Sequence, residues 1–129
     1  MPYLQLEVIK HYPADTKKAL AKKMGEVFSE IMHTNPMRIT VSIRELGEGS
    51  IWRCSEGDPT PGALLMLDVR QGRSIAVRAT LAKALIDVCT EMLSLEKHQL
   101  NIEFTQHSGD EMYHAIWGGF SDDWEPDEE

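Results

Sequence analysis

Pro2-Tyr3-Leu4-Gln5-Leu6-Glu7-Val8-Ile9 opens the chain as an alternation, with Leu4, Leu6 and Val8 on one face and Tyr3, Gln5 and Glu7 on the other. A period of two is that of a β-strand with one face buried. A strand at a terminus is held by being tied into a sheet. The same strand fixes the nitrogen of Pro2 in space. With Met1 removed, that nitrogen is a free secondary amine. α-Amino groups titrate at about 7.7–8.0, and burial or a nearby cation lowers the value. A proline amine at a strand end is therefore a candidate general base near neutral pH. Proline is common enough that its presence at position 2 is a weak sign taken alone.

Working outward, Lys10 to Ala14 is a loop containing Pro13, and Asp15 or Thr16 is placed to cap a helix. Leu20, Met24, Val27, Phe28 and Ile31 recur at spacings of three and four, which predicts one apolar helix face. The helix is expected to stop before Asn35-Pro36, because a residue preceding proline avoids the α region. In Arg38 to Glu45, Ile39, Val41 and Ile43 alternate with Thr40, Ser42 and Arg44, the pattern of a second strand. Gly47 to Gly62 reads mostly as loop, with room for a short strand at Ile51-Trp52-Arg53-Cys54.

The pattern then restarts. Ala63-Leu64-Leu65-Met66-Leu67-Asp68-Val69 is a nearly continuous apolar run, typical of a strand covered on both faces. Arg70-Gln71-Gly72-Arg73-Ser74 turns the chain into a helix from about Ile75 to Leu93, expected to bury Val77, Leu81, Leu85, Val88 and Met92. Gln99 to Phe104 is a fourth strand by alternation.

Strand, helix and strand thus occur twice, at an offset of about 60 residues that pairs Leu4 with Leu64, Leu20 with Leu81 and Ile39 with Leu100. The units span about 2–46 and 63–106, and an acidic tail runs from about 118 to 129, all within a single domain of residues 1–129. Each βαβ unit has parallel strands and a right-handed crossover. Two units side by side predict an α/β (α+β) fold: a four-stranded mixed sheet with two helices on one face. The other face has nothing left to cover it. An apolar face does not stay in water, so subunits are expected to cover one another. Met112 to Trp124, with Trp117, Phe120 and Trp124, is a candidate for part of that cover.

A chain of 129 residues with 42% hydrophobic and 26% charged residues has the make-up of one soluble globular domain. No window approaches the ~18 consecutive apolar residues of a membrane span, and no basic segment followed by an apolar leader is visible. Cys54 and Cys89 form no C-x-x-C and no zinc spacing, so a reducing, cytoplasmic location is expected. Of the net charge of −8, the tail residues Asp122, Asp123, Glu125, Asp127, Glu128 and Glu129 carry most. Neither tail nor body has the basic footprint that a nucleic-acid partner requires.

The Arg70-x-x-Arg73 turn lies where a buried strand ends and a helix begins at Ser74. Open α/β sheets bind ligands at such strand ends, helix N-termini favour anions, and two guanidinium groups can clamp a carboxylate. Taken alone, the residues favour a structural role, with one arginine on the surface and the other paired with Asp68 or Glu103. Glu111-x-x-His114, with His107, has the residue types of a metal site, but partner motifs are missing and no metal is expected.

Pro2 after Met1, the duplicated βαβ pattern and the Arg70-Gln71-Gly72-Arg73-Ser74 turn together resemble the tautomerase superfamily. The likeness is to its double-length members: the cis-3-chloroacrylic acid dehalogenase, malonate semialdehyde decarboxylase and 5-carboxymethyl-2-hydroxymuconate isomerase families. It covers roughly residues 2–106. The arginine turn looks most like the cis-dehalogenase family, and Ile43 to Trp52 looks like the strand and β-turn of the short 4-oxalocrotonate tautomerases. The resemblance implies a homotrimer with a pocket built partly across subunits, a small carboxylate substrate and no cofactor. It implies Pro2 as the base that takes a proton from an enol and returns it at carbon. Arg70 and Arg73 would be the carboxylate clamp, and Trp52 and Arg38 substrate-binding residues.

Three departures narrow the activity. Phe28 stands where the cis-dehalogenase family has a histidine on its first helix. Ile116 and its neighbours stand where that family has a catalytic glutamate, and Met37-Arg38 where the decarboxylase family has an aspartate. The reading that remains is a cofactor-free keto–enol tautomerase of small 2-hydroxy-2-enoic or 2-oxo acids. The alternatives are a cis-3-haloacrylate dehalogenase or hydratase, a decarboxylase, or a non-catalytic oligomeric anion-binding protein.

Overall fold

The two halves of the chain fold to one plan. A computed structural model describes residues 2–120. The first half holds β1 (Tyr3–Val8), α1 (Ala14–Met32), a 3-10 turn (Pro36–Arg38), β2 (Thr40–Glu45) and a hairpin of β3 (Trp52–Arg53) and β4 (Thr60–Pro61). The second holds β5 (Ala63–Arg70), α2 (Ile75–Leu93), a 3-10 turn (Lys97–Gln99) and β6 (Leu100–His107). It closes with a 3-10 turn (Gly109–Glu111) and a hairpin of β7 (Tyr113–His114) and β8 (Gly119–Phe120). The sheet order is β2-β1-β5-β6. β1 runs parallel to β2 and β5 parallel to β6, while β1 and β5 are antiparallel, with Leu4 opposite Leu67 and Leu6 opposite Leu65. The sequence expectation of a four-stranded mixed sheet with two helices on one face therefore holds.

The repeat is stricter than the sequence reading made it. A constant offset of 61 carries Leu4, Leu6 and Val8 onto Leu65, Leu67 and Val69, so Leu4 matches Leu65 and not Leu64. It carries Leu20, Met24, Phe28 and Met32 onto Leu81, Leu85, Cys89 and Leu93, and all of these side chains are buried in one core. On α2 this corrects the expected face. Cys89 and Leu93 point inward, whereas Met92 is 36% exposed. Both helices bury an i, i+4 ridge, which is inclined to the helix axis. A stripe centred on the axis therefore misjudges the far end. Both helices end on a left-handed residue, His33 (φ 51°) and Ser94 (φ 56°), after which Thr34 N–H and Leu95 N–H donate back to Ser29 O and Thr90 O. Ser74 caps α2 by accepting from Val77 N–H, but α1 starts after Pro13 without a side-chain cap, so neither Asp15 nor Thr16 has that role.

The uncovered face differs from the expectation. β5 is buried only at alternate positions, so it is not covered on both sides within this chain. Its outward residues Leu64 and Met66 lie among Gln5, Glu7, Asn101 and Glu103. Tyr3 Oη shares a 2.7 Å hydrogen bond with Ser42 Oγ, and Arg44 pairs with Glu7 at 3.1 Å. The face that subunits were expected to cover is therefore mixed in polarity and not apolar throughout. Of Met112 to Trp124, the described part folds as the β7–β8 hairpin. Trp124 and the acidic residues from Asp122 onward lie outside the described residues. Among the described residues no helix is long and apolar enough to cross a membrane.

Candidate active site

Strand directions divide the expected site residues between two ends of the sheet. Pro2 is buried at the head of β1, and its carbonyl accepts from Thr40 N–H at 3.1 Å. β5 runs the other way, with Tyr3 opposite Asp68, so the end of β5 at Arg70 arrives beside Pro2. β2 begins at this same end, preceded by the 3-10 turn that carries Arg38. Pro2, Arg38, Arg70 and the turn to Arg73 therefore share one end.

Arg70 is half-buried, stands opposite His107 in the β5–β6 register, and donates from Nη1 to Gln71 O at 3.1 Å. Arg73 goes inward. It is 7% exposed and donates from Nη2 to Met32 O at 2.7 Å and to Thr34 Oγ1 at 3.0 Å. These acceptors belong to the end of α1, so this guanidinium ties the β5–α2 turn to the first helix. Nothing in the turn's own sequence names that partner.

Arg38 lies over the ring of Trp117 at 4.7 Å, a cation–π contact. Trp117 in turn meets His114 edge-on at 4.3 Å. His114 is 6% exposed and sits 3.1 Å from Met37 O through Nε2, while its Nδ1 accepts from Ile116 N–H at 3.0 Å. A carbonyl only accepts and an amide N–H only donates, so Nε2 bears the proton and Nδ1 does not. The imidazole thus docks the C-terminal hairpin on the turn that carries Arg38. That engagement takes His114 out of any ligand pair with Glu111, and among the described residues no group of three His, Cys, Asp or Glu side chains is placed to hold a metal.

At the same end of the sheet, Tyr3, Asp68, His107, Glu111, Met112 and Tyr113 line a hollow of about 270 Å³. His107 stands 4.0 Å from both Asp68 and Glu111. Hydrogen bonds from the Ser108 side chain and then its backbone N–H hold the Glu111 carboxyl below its ordinary value.

Trp52 is elsewhere. β3 follows the far end of β2, and β2 is parallel to β1, so Trp52 lies about 20 Å along the strands from Pro2. The indole is 53% exposed, donates to Gly49 O at 3.0 Å and borders a hollow with Ile9, Ala63 and Leu95. In the same chain, the residue that the 61-residue offset pairs with Trp52 is Tyr113, which with Tyr3 lines the hollow at the proline end. The equivalence extends to the hairpins' anchors. Arg53, the counterpart of His114, donates to His98 O and Gln99 O at 2.9 Å each. Sequence reasoning passed over Tyr113, and it named His114 and Trp117 only in other roles, as a discounted metal ligand and as part of a subunit cover. Extending the repeat past residue 106 pairs Tyr113 with Trp52 and was the signal that would have found it.

Cys89 is buried, which pushes its thiol up to about 12, while Cys54 is exposed. Neither stands at the proline end.

No family model matches the chain, and no curated protein matches it. Solved structures do. Pt0534 inactivated by 2-oxo-3-pentynoate superposes with a TM-score of 0.77 at 22% identity, over 93% of this chain and 95% of that one. N1, a member of the cis-3-chloroacrylic acid dehalogenase family, gives 0.80 at 15% identity, over 92% and 82%. A fused 4-OT, Q0, a symmetric trimer, gives 0.79 at 17% identity, over 93% and 95%. These are tautomerase-superfamily proteins, and at such identities the likeness is one of fold. The chain has that double-length fold.

Proposed function

We propose that this chain, built on the double-length tautomerase-superfamily fold, is a cofactor-free keto–enol tautomerase of small 2-hydroxy-2-enoic or 2-oxo acids. The observation that supports it best is the meeting of Pro2, Arg70 and Arg38 at one end of the sheet. The strand order brings them there from three separate segments. Once Met1 is removed, the secondary amine of Pro2 takes the proton from the enol hydroxyl. The C=C electron pair then picks up that proton at carbon, the oxygen becomes a carbonyl, and the amine is regenerated. No oxidant, metal or water is consumed. Arg70 and Arg38 hold the substrate carboxylate and draw charge from the adjacent oxygen. Arg73 shapes the turn that presents Arg70, since its own guanidinium is bonded to Met32 and Thr34. Tyr113 walls the pocket in the place expected of Trp52. The fused 4-OT neighbour is a symmetric trimer, and we infer the same assembly here, with Leu64 and Met66 on the shared face.

One observation favours a second reading, hydration or dehalogenation of a haloacrylate. His107, between Asp68 and Glu111 beside Tyr3, offers groups that could orient a water. The deciding experiment follows ketonisation of phenylenolpyruvate by ultraviolet absorbance for the wild type and Pro2→Ala, with the intact mass of both. Loss of most of the rate in Pro2→Ala, in protein lacking Met1, supports the amine mechanism. Halide release from cis-3-chloroacrylate without ketonisation supports the second reading. Inactivity of Met1-free wild type on both substrates removes both.

A further inference from the structure

We propose that the end of the sheet opposite Pro2 is a second, non-catalytic binding site, for a flat apolar molecule carrying a single anionic group. The inference rests on the internal repeat and does not depend on the tautomerase reading.

The hollow there measures about 400 Å³, within the range of roughly 300–1,000 Å³ usual for small-molecule sites. By the internal repeat, its lining residues Ile9, Ala63, Leu95, Gln99 and Trp52 correspond to positions at the proline end, on the same backbone frame in the other half. The 61-residue offset shows what has changed at each position. Pro2 is replaced by Ala63, Arg70 by Ile9, Arg38 by Gln99, Thr34 by Leu95 and Tyr113 by Trp52. The base is gone, so the site has no group to carry out the proposed proton transfer. Both clamp arginines are gone too. The side-chain oxygen of Gln99 is occupied by Glu96 N–H at 3.0 Å. What remains is an apolar wall of Ile9, Ala63 and Leu95, with one cation, Lys10, and one anion, Glu48, also in the lining. That balance accepts one negative group at Lys10 and disfavours a second beside Glu48.

Trp52 supplies the platform. Its indole N–H is bound to Gly49 O, which fixes the ring, yet more than half of the residue is open to solvent. An exposed aromatic face held in one orientation stacks a flat ligand at little cost in side-chain ordering. The hairpin bearing it is fastened by the two hydrogen bonds from Arg53, so the wall is formed before any ligand arrives.

The test is isothermal titration of the full chain with 2-naphthoate, a flat apolar monoanion. One site per chain that survives Arg70→Ala is expected. Trp52→Ala should weaken it by at least about tenfold, as loss of a central aromatic anchor does. Lys10→Glu should weaken it several-fold, while Arg70→Ala leaves it unchanged. Naphthalene-2,6-dicarboxylate should bind more weakly than the monoanion. Trp52→Phe keeps an aromatic face and should retain most of the affinity, which separates loss of stacking from loss of folding. No saturable binding to the wild type overturns the proposal. So does equal affinity in Trp52→Ala, and so does loss of binding in Arg70→Ala, which would place the ligand at the proline end. None of these readouts requires catalysis, so failure of the tautomerase reading and failure of this one are distinguishable.

Discussion

Arg73 makes in the second half of the chain the bond that Tyr12, 61 positions earlier, makes in the first. Tyr12 Oη donates to Leu93 O at 3.1 Å, and Arg73 Nη2 donates to Met32 O at 2.7 Å. Each side chain leaves the loop before its own helix and satisfies the last turn of the other. Terminal helix carbonyls have no partner within the helix, so these crossed ties close both ends at once. Burial, followed by the Glu45 carboxylate, keeps the Tyr12 phenol above its ordinary value of 10.0, and so protonated and donating.

The two arginines of the turn should therefore separate in their effects. Arg73→Ala removes a buried charged donor and leaves Met32 O short of a partner. It is expected to cost about 2–3 kcal/mol of stability by urea denaturation. Arg70→Ala should change stability by less than about 0.5 kcal/mol and raise KM for 2-oxo acids by roughly tenfold or more. If Arg73→Ala keeps the wild-type midpoint, the tie is not structural.

His114 is expected to act through position. His114→Ala leaves the C-terminal hairpin without its bond to Met37 O and exposes Ile116 N–H, so hydrogen exchange at Ile116 and Trp117 should quicken while the helices stay protected. Because Trp117 supports Arg38, KM should rise more than kcat falls. A variant with unchanged exchange in the hairpin would show that His114 is not what holds it.

Acid should loosen the loop before α1. The hydrogen bond from Lys17, then that from Tyr12 N–H, holds the Glu45 carboxyl below its ordinary 4.5. The folded value is the lower one, so the stabilisation is fully present above about 4.5 and fades as pH falls through the folded value. Wild-type Tm should drop with acid over that window, and Glu45→Gln should show a lower Tm at neutral pH and a shallower acid slope. Parallel Tm–pH curves for the two proteins would remove Glu45 as the cause.

The cysteines should be chemically distinct. Iodoacetamide at pH 8 is expected to alkylate exposed Cys54 alone, because the Cys89 thiol is buried and held near 12. Intact mass would show one adduct in native protein and two after denaturation. Two adducts without denaturant would mean that the core beneath α2 opens readily.

Local periodicity by itself determined the four strands of the main sheet, the two long helices and their duplication. The alternation of Leu4, Leu6 and Val8 and the four-residue steps of Leu20, Met24 and Phe28 follow from backbone geometry alone, so a reader of the sequence finds them where the structure has them. The same holds for Pro2, whose place at a strand head needs no knowledge of partners. Tertiary structure decided what those elements face. The antiparallel pairing of β1 with β5 sends Arg70 to Pro2, and the parallel run of β2 carries Trp52 to the far end, leaving Tyr113 in its stead. Arg73 turns inward because the end of α1, 41 residues earlier, presents a carbonyl to it. Such choices depend on which strand lies beside which and in which direction. A side chain's spacing along its own element is fixed locally, but the group it meets is set by how the two halves pack.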